Sequence, residues 1–368
     1  MEEKKICVDC RITTSGIGNY TINNLLHVEK NFGYKISLLI KKNLSDFSKN
    51  VKQIKFPARI YSLREQILFI RSIPKSDLFW SPHYNIPILP IRAKKRIVTI
   101  HDVYHLRFID DLSIAKKIYA KVILNLAVRL SDHIITVSNF SKNEIVKLTG
   151  CMPDKVKVIY NGVRQVAAYK PFTEVKAKYG LYDKYILFVG NVKPHKNLIR
   201  GLKAFAGLPK HLFETFNVVI VGQKDGLLTG DPDLFKWLEM NKDLENKIVF
   251  TGFVDDGELD SIYRHASLFV FPSFYEGFGL PPLEAMLNHC PVIASNSSSI
   301  PEICGDAVHY FDPLDDRSIR SAMLDVLSNE NLVRNLIQFG LERIKLFTWE
   351  KAGLEHEVLF NSVLNGKI

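Results

Sequence analysis

Glu276 and Glu284 stand eight residues apart in the segment Phe274-Tyr275-Glu276-Gly277-Phe278-Gly279-Leu280-Pro281-Pro282-Leu283-Glu284. Pro281 and Pro282 suit a first helical turn, where a missing N–H costs little, so a helix is expected to start there with Glu284 near the end of its first turn. The glycines before it expose backbone amides beside the positive end of that helix, an arrangement that favours a diphosphate. One carboxylate on the loop and one on the helix could then each accept hydrogen bonds from sugar hydroxyls. Spacing alone leaves a second reading open, with Glu276 a solvated loop charge and Glu284 a helix residue favoured by the dipole.

Two more strand-to-helix turns carry similar chemistry. The segment Arg11 to Tyr20 contains Gly16-Ile17-Gly18 ahead of a helical pattern begun by Ile22, Leu25 and Leu26. Such glycines let a backbone approach an anion, or simply make a tight packing turn. The dinucleotide fingerprint needs a third small residue where Thr21 stands, which disfavours a nicotinamide enzyme. In Phe188 to Leu198, Lys193 and Lys196 flank a proline turn, either as point charges for phosphate or as solvated loop cations.

Other constellations have plainer explanations. Asp231-Pro232-Asp233 reads as a helix cap with proline at the first helical position. His101 and His105 stand four apart without a third metal ligand. Cys7 and Cys10 form a C-x-x-C inside a strand-like run, with no second pair, and are expected to be buried structural thiols. No metal and no cofactor is expected.

The elements that must position these residues follow from the apolar pattern. Strand-like runs recur at Lys5 to Asp9, Lys35 to Ile40, Asp77 to Trp80, Arg96 to His101, His133 to Ser138 and Val156 to Tyr160. The rhythm restarts with Tyr185 to Gly190, Asn217 to Gly222, Lys247 to Gly252, Ser267 to Pro272, Pro291 to Ser295 and Ala307 to Asp312. Strands alternating with helices predict α/β architecture with two doubly wound parallel domains, separated near the polar stretch Gln165 to Lys178. A ligand is then expected between them, at the carboxyl ends of the strands. Trp349 to Leu364 is a final helix whose apolar stripe must be buried somewhere.

The chain has 368 residues, 46% hydrophobic and 24% charged, which excludes disorder and small disulfide scaffolds. No run approaches the roughly 20 apolar residues of a spanning helix, and the start lacks a signal-peptide core, so a cytoplasmic location is expected. Residues 1–170 carry 29 Lys+Arg against 13 Asp+Glu, and the remainder 20 against 26. The basic half suits nucleic acid, an anionic membrane or a phosphorylated partner. A nucleic-acid-binding protein is disfavoured by the lack of any recognition module. Two stretches could serve a membrane: the cluster Arg92, Lys94, Lys95, Arg96, and the helix Ile114 to Leu130, with Ile118, Val122 and Leu126 on one side and Lys117 and Lys121 on another.

Taken together, Glu276 to Glu284, Gly16-Ile17-Gly18-Asn19-Tyr20, Thr99-Ile100-His101-Asp102, Thr136-Val137-Ser138, Tyr160-Asn161-Gly162-Val163, Pro194-His195-Lys196-Asn197 and Pro301 to Asp306 resemble the family-4 retaining glycosyltransferases of GT-B fold. The resemblance spans nearly the whole chain, with the motifs in the expected order. It implies an N-terminal acceptor-binding domain at 1–168, a nucleotide-sugar-binding domain at 169–348, and a final helix at about 349–368 packed back on the first. It also implies roles. Glu284 would hold the donor ribose and Glu276 the sugar hydroxyls. Gly277, Phe278, Gly279 and Leu280 would contact sugar and phosphate, Lys193 and Lys196 the diphosphate, and Gly16 and Gly18 a loop closing over the phosphates. His101 would lie near the reacting sugar, with Arg11 and Asp102 facing the acceptor.

Many family members carry an arginine where this chain has Asn191, so Lys193 or His195 is expected to stand in. The implied activity is retaining, metal-independent hexosyl transfer, mannosyl or similar, from a nucleotide-diphosphate sugar to a lipid-linked or growing surface glycan at the inner face of the membrane. The leaving phosphate would itself assist deprotonation of the acceptor in a front-face reaction. The competing enzyme reading is a nucleotide-sugar epimerase of the same fold.

Overall fold

The computed structural model describes residues 3–13, 16–31, 33–60, 62–108, 114–164, 168–222 and 230–366. The side chains of residues 31, 105, 114–116 and 118–120 are also outside that description. Readings that fall on Thr14, Ser15, Gln165 and the side chains of His105 and Ile118 therefore lie outside the described residues. The chain divides into two compact units, Met1–Gly162 with Phe347–Ile368, and Val163–Leu346.

The first unit is built on β1 (Lys5–Asp9), β2 (Lys35–Ile40), β3 (Lys52–Lys55), β4 (Ser76–Ser81), β5 (Ala93–Thr99), β6 (His133–Thr136) and β7 (Val156–Val158). These pair in parallel in the order β3-β2-β1-β4-β5-β6-β7. The near-continuous burial of β1 and β2 is what a sheet covered on both faces requires. β3 was not legible in the apolar pattern because Lys-Gln-Ile-Lys is short, polar and at the sheet edge, where charged residues discourage further pairing. Cys7 and Cys10 are buried, and burial, with Asp9 close by, pushes both thiols up from the ordinary cysteine range, as a structural role requires.

Helix α1 (Gly16–Asn31) starts at Gly16, earlier than the apolar pattern suggested. Gly18 makes this possible, since a Cβ there would sit 2.4 Å from the Thr13 carbonyl carbon. Helix α2 (Leu63–Ser72) is capped by Ser62, whose side chain accepts the Glu65 N–H. The C-terminal helix Trp349–Leu364 belongs to this first unit, where Gly353 packs so closely on His27 of α1 that a Cβ would meet it at 2.4 Å.

A buried hydrogen-bond chain fastens that helix to the sheet. The Ala352 carbonyl can only accept, so His356 Nδ1, at 2.7 Å, is the protonated nitrogen. Burial pushes His356 down to about 4, which keeps the ring neutral and makes Nε2 the acceptor of the Tyr20 hydroxyl at 2.6 Å. Tyr20 Oη then takes the Thr99 hydroxyl proton at 3.1 Å, and Thr99 Oγ1 accepts the Trp80 indole N–H at 3.0 Å. Every proton in this chain has one permitted direction.

The expected basic cluster carries partners of its own. Lys94 pairs with Asp77 at 2.7 Å and Lys95 with Asp132 at 2.9 Å, while Arg96 donates to the Pro87 and Leu89 carbonyls. The two lysines and Arg96 are thus tied to neighbouring groups, while Arg92 and Lys94 stay exposed. On the helix Ile114–Leu130 the buried face is Ile123, Leu124, Ala127 and Val128, and Val122 is exposed beside Lys121.

The second unit contains β8 (Tyr185–Val189), β9 (Asn217–Val221), β10 (Ile248–Gly252), β11 (Leu268–Phe271), β12 (Val292–Ser295) and β13 (His309–Phe311), parallel in the order β10-β9-β8-β11-β12-β13. Asp231 caps the helix Pro232–Glu239 through the Leu234 N–H at 3.2 Å, as its sequence context implied. In both sheets the strand order reverses once, at β1/β4 and at β8/β11, the places where such sheets take ligands. No helix among the described residues is long and apolar enough to cross a membrane.

Candidate functional site

The loops after β8 and β11 flank the reversal point of the second sheet and carry the second unit's candidate residues. Asn197 holds the first loop in place. It sits in the left-handed region at φ 56°, and its side-chain amide donates to the Pro272 carbonyl at 3.0 Å and the Pro313 carbonyl at 2.7 Å. A small pocket opens between the strand ends, with Gly190, Asn191, Lys196, Phe271 and Ser273 in its lining. Asn191 thus occupies the pocket beside Lys196, whereas Lys193 and His195 are not part of its described lining.

Lys196 and Glu276, eighty residues apart in sequence, meet in a 2.6 Å ion pair. The Lys196 ammonium also lies 5.7 Å from the centre of the Phe271 ring. The loop bearing Glu276 is tied down by serines. Glu276 N–H donates to Ser298 Oγ at 3.0 Å, and the Ser299 hydroxyl reaches the Glu276 and Phe278 carbonyls at 3.0 and 2.9 Å. Gly279 ends the loop at φ 97°, a conformation that favours glycine, and the helix Leu280–Leu287 follows. Pro281 and Pro282 remove two of its first four N–H groups, so the helix offers its dipole but few donors. Donors for an anion must come chiefly from the glycine loop ahead of it.

Glu284, on that helix, accepts the Tyr263 hydroxyl at 3.2 Å through Oε2. Burial raises its carboxyl above the usual range; Arg164 and the Tyr263 hydrogen bond work against this, and Asp260 and Asp256 reinforce it. Arg164 grips Asp260 with two hydrogen bonds of 2.7 and 2.6 Å, and Asn288 donates to the same carboxylate at 2.9 Å. Sequence reasoning missed Arg164, Asp260 and Tyr263, although Asp260 and Tyr263 share one face of the helix Asp256–His265. It also missed Ser273, whose hydroxyl is buried without a hydrogen-bond partner among the described residues.

In the first unit His101 follows β5. Its Nε2 lies 2.9 Å from the Pro82 carbonyl, which fixes the proton on that nitrogen and leaves Nδ1 as an acceptor in the neutral ring. Burial lowers its pKa from the ordinary histidine value. Tyr20 packs edge-on against it, with ring centres 4.7 Å apart, so the hydrogen-bond chain from the C-terminal helix ends one ring from His101. Asp102 accepts the Tyr104 N–H at 2.9 Å and so shapes the turn that follows. A Cβ at Gly16 would meet open space, unlike one at Gly18. The Cα of Gly18 is thus packed against Thr13, while that of Gly16 faces open space.

Arg11 departs from its expected role facing an acceptor. Its side chain is fully buried, bonded to Asp9 at 2.7 and 2.5 Å and paired with Glu65 at 2.6 Å. Its guanidinium carbon lies 4.5 and 4.9 Å from the ring centres of Phe56 and Phe69. Burial works against ionisation of Asp9, but Arg11 and His83 outweigh it and hold the carboxyl well below the usual range. Lending Arg11 to a ligand would strand two buried carboxylates, a loss of about 3–5 kcal/mol.

Comparison with known proteins agrees with this architecture. The family described as Glycosyl transferases group 1 matches residues 172–343, and Glycosyltransferase Family 4 matches residues 42–165. The chain is 30% identical over 298 residues to an O-antigen chain mannosyltransferase B of Escherichia coli, covering 79% of this chain and 76% of that protein. It is 29% identical over 268 residues to the O-antigen chain mannosyltransferase RfbU of Salmonella typhimurium, covering 73% and 69%. The crystal structure of Anabaena Alr3699/HepE in complex with UDP-glucose superposes with a TM-score of 0.77 at 17% identity, covering 97% of this chain and 99% of that one.

Proposed function

The chain belongs to the group 1 glycosyl transferases, family 4, a retaining family of GT-B fold, and we propose that it transfers a hexosyl residue, mannosyl or similar, from a nucleotide-diphosphate sugar to a hydroxyl of a lipid-linked or growing surface glycan. The observation that carries this reading is the meeting of Lys196 and Glu276 beside the pocket at the β8/β11 reversal, with Glu284 held by Tyr263 on the helix that follows. The two O-antigen mannosyltransferases support a mannosyl donor and a surface polysaccharide product. The UDP-glucose complex of a structural relative supports a nucleotide sugar as ligand.

In this reading Glu284 accepts hydrogen bonds from the ribose, through the lone pairs Tyr263 does not use. Lys196 leaves its carboxylate partner for the diphosphate, where negative charge grows as the glycosidic bond breaks. Loop amides from Gly277 to Gly279 supply the remaining donors. Glu276, released from the ammonium, receives sugar hydroxyls and stays an acceptor, not a nucleophile. The leaving phosphate takes the acceptor proton on the same face of the sugar, which retains the anomeric configuration. His101, neutral and held through Nε2, orients or stabilises the reacting sugar.

Incubating the protein with nucleotide mannoses and a lipid-diphosphate glycan acceptor, with and without EDTA, tests the proposal. Transfer with retained configuration, undiminished by EDTA, is expected. Release of an epimerised donor without acceptor would move the assignment to an epimerase.

A further inference from the structure

The outer face of α2 is apolar where a surface helix is ordinarily polar. Leu63 is 87% exposed, Ile67 56% and Ile70 38%. Their spacing places all three within an arc of about 60° on one side of the helix. The inner side prevents this stripe from turning inward. Glu65 pairs with Arg11 at 2.6 Å and accepts from Asn85 at 2.8 Å, and Phe69 is fully buried. Gln66 is bonded to the backbone at Ile86 and Ile88, at 3.3 and 2.8 Å. Rotating α2 to bury Leu63 would break all of these contacts.

The charge around the stripe has one sign. Lys52, Lys55, Arg59, Arg64, Arg71 and Lys75 are all exposed, while the only acidic residue from 52 to 75, Glu65, is buried in its pair with Arg11. Arg64 and Arg71 flank the apolar stripe on the same side, placed to run their stems along an apolar layer and keep their heads at its polar boundary. A second copy of the chain meeting this face would set these cations against their own kind. An anionic leaflet answers both the apolar stripe and the positive rim.

We propose that the outer face of α2 is the surface by which this protein lies on an anionic lipid bilayer. Leu63, Ile67 and Ile70 enter the headgroup boundary, and Arg64 and Arg71 meet lipid phosphates. The inference rests on the lipid-linked acceptor reading and relocates membrane attachment from the 92–96 cluster, whose lysines are paired within the fold.

The test is flotation of the full chain with phosphatidylcholine vesicles, with and without phosphatidylglycerol, and without nucleotide or acceptor. The wild type should float only with phosphatidylglycerol. The combined Leu63→Ser, Ile67→Ser, Ile70→Ser variant should not float, and its circular dichroism at the assay temperature should match that of the folded wild type. Arg64→Gln with Arg71→Gln should weaken binding by about 25-fold, at about fivefold per arginine, with the difference fading at high salt. A wild type that ignores phosphatidylglycerol, or a triple serine variant that floats like wild type, overturns the proposal. So does a concentration-dependent dimer, without vesicle binding, that the serines abolish. Nucleotide-sugar binding is read separately by thermal shift, so a failed donor assignment and a failed membrane surface are distinguishable.

Discussion

Replacing Glu284 by glutamine keeps the side chain's shape and removes the charge that would hold the ribose. Hydrogen bonds to an ionised acceptor are worth about 1.5–3 kcal/mol, so the nucleoside diphosphate should bind about ten- to hundredfold more weakly. At about 100 times its dissociation constant, ligand stabilises the wild type by about 2.7 kcal/mol; at the same concentration the variant keeps about 1.4 to 0.4 kcal/mol. For a unit the size of Val163–Leu346, at about 2–4 °C per kcal/mol, a wild-type thermal shift of about 5–10 °C falls to about 1–5 °C. Glu284→Ala, which also strips Tyr263 of its acceptor, should lose the shift altogether.

The ligand-free protein should respond in the opposite sense. Burial raises the Glu284 pKa above its unfolded value, so its favourable contribution is complete below the ordinary glutamate range and is lost as pH rises through the folded pKa. Glu284→Gln should therefore be more stable than wild type at neutral pH, with the gain shrinking as pH falls through that folded pKa. Inorganic pyrophosphate, which has no ribose, serves as the control. A full nucleotide shift in Glu284→Gln, or an equal loss towards pyrophosphate, would refute the assignment.

Lys196→Ala should weaken nucleotide and pyrophosphate alike in the same assay. Glu276→Gln should do the reverse for a nucleoside diphosphate, tightening it by freeing the ammonium, while weakening the complete nucleotide sugar; calorimetry with both ligands reads the change of sign. Tyr20→Phe leaves His356 Nε2 without its donor and should cost the first unit about 1–3 kcal/mol in chemical denaturation. Because burial lowers His356 to about 4, its favourable contribution is present above the ordinary histidine value and lost as pH falls towards 4; His356→Ala should flatten that slope. Gly18→Ala drives a Cβ into the Thr13 backbone and should destabilise by about 1–3 kcal/mol, whereas Gly16→Ala should stay within about 0.5 kcal/mol of wild type.

The parallel strands were legible because burial on both faces writes itself as an apolar run. β1 and β2 fall at the residues the pattern marks, while β3, polar and at the edge, leaves no such trace. The turns that carry Lys196, Glu276 and Glu284 were legible because glycine and proline announce them. Arg164, Tyr263 and Ser299 were not, since each acts on a residue from a different element, and nothing in one dimension records that meeting. Arg11 was misread for the same reason: a cation after a strand looks available until Glu65, from another helix, is seen to enclose it.

The first unit is assembled from both ends of the chain, with Val163–Leu346 inserted between its parts. During synthesis the inserted unit can therefore complete its core while the earlier one still lacks its closing helix. Until Trp349–Leu364 leaves the ribosome, Tyr20 has no His356 to bond, and the α1 surface around His27 stays uncovered. A chain truncated before Trp349 should thus bear a finished Val163–Leu346 unit and an unfinished partner, one open to chaperones and proteases.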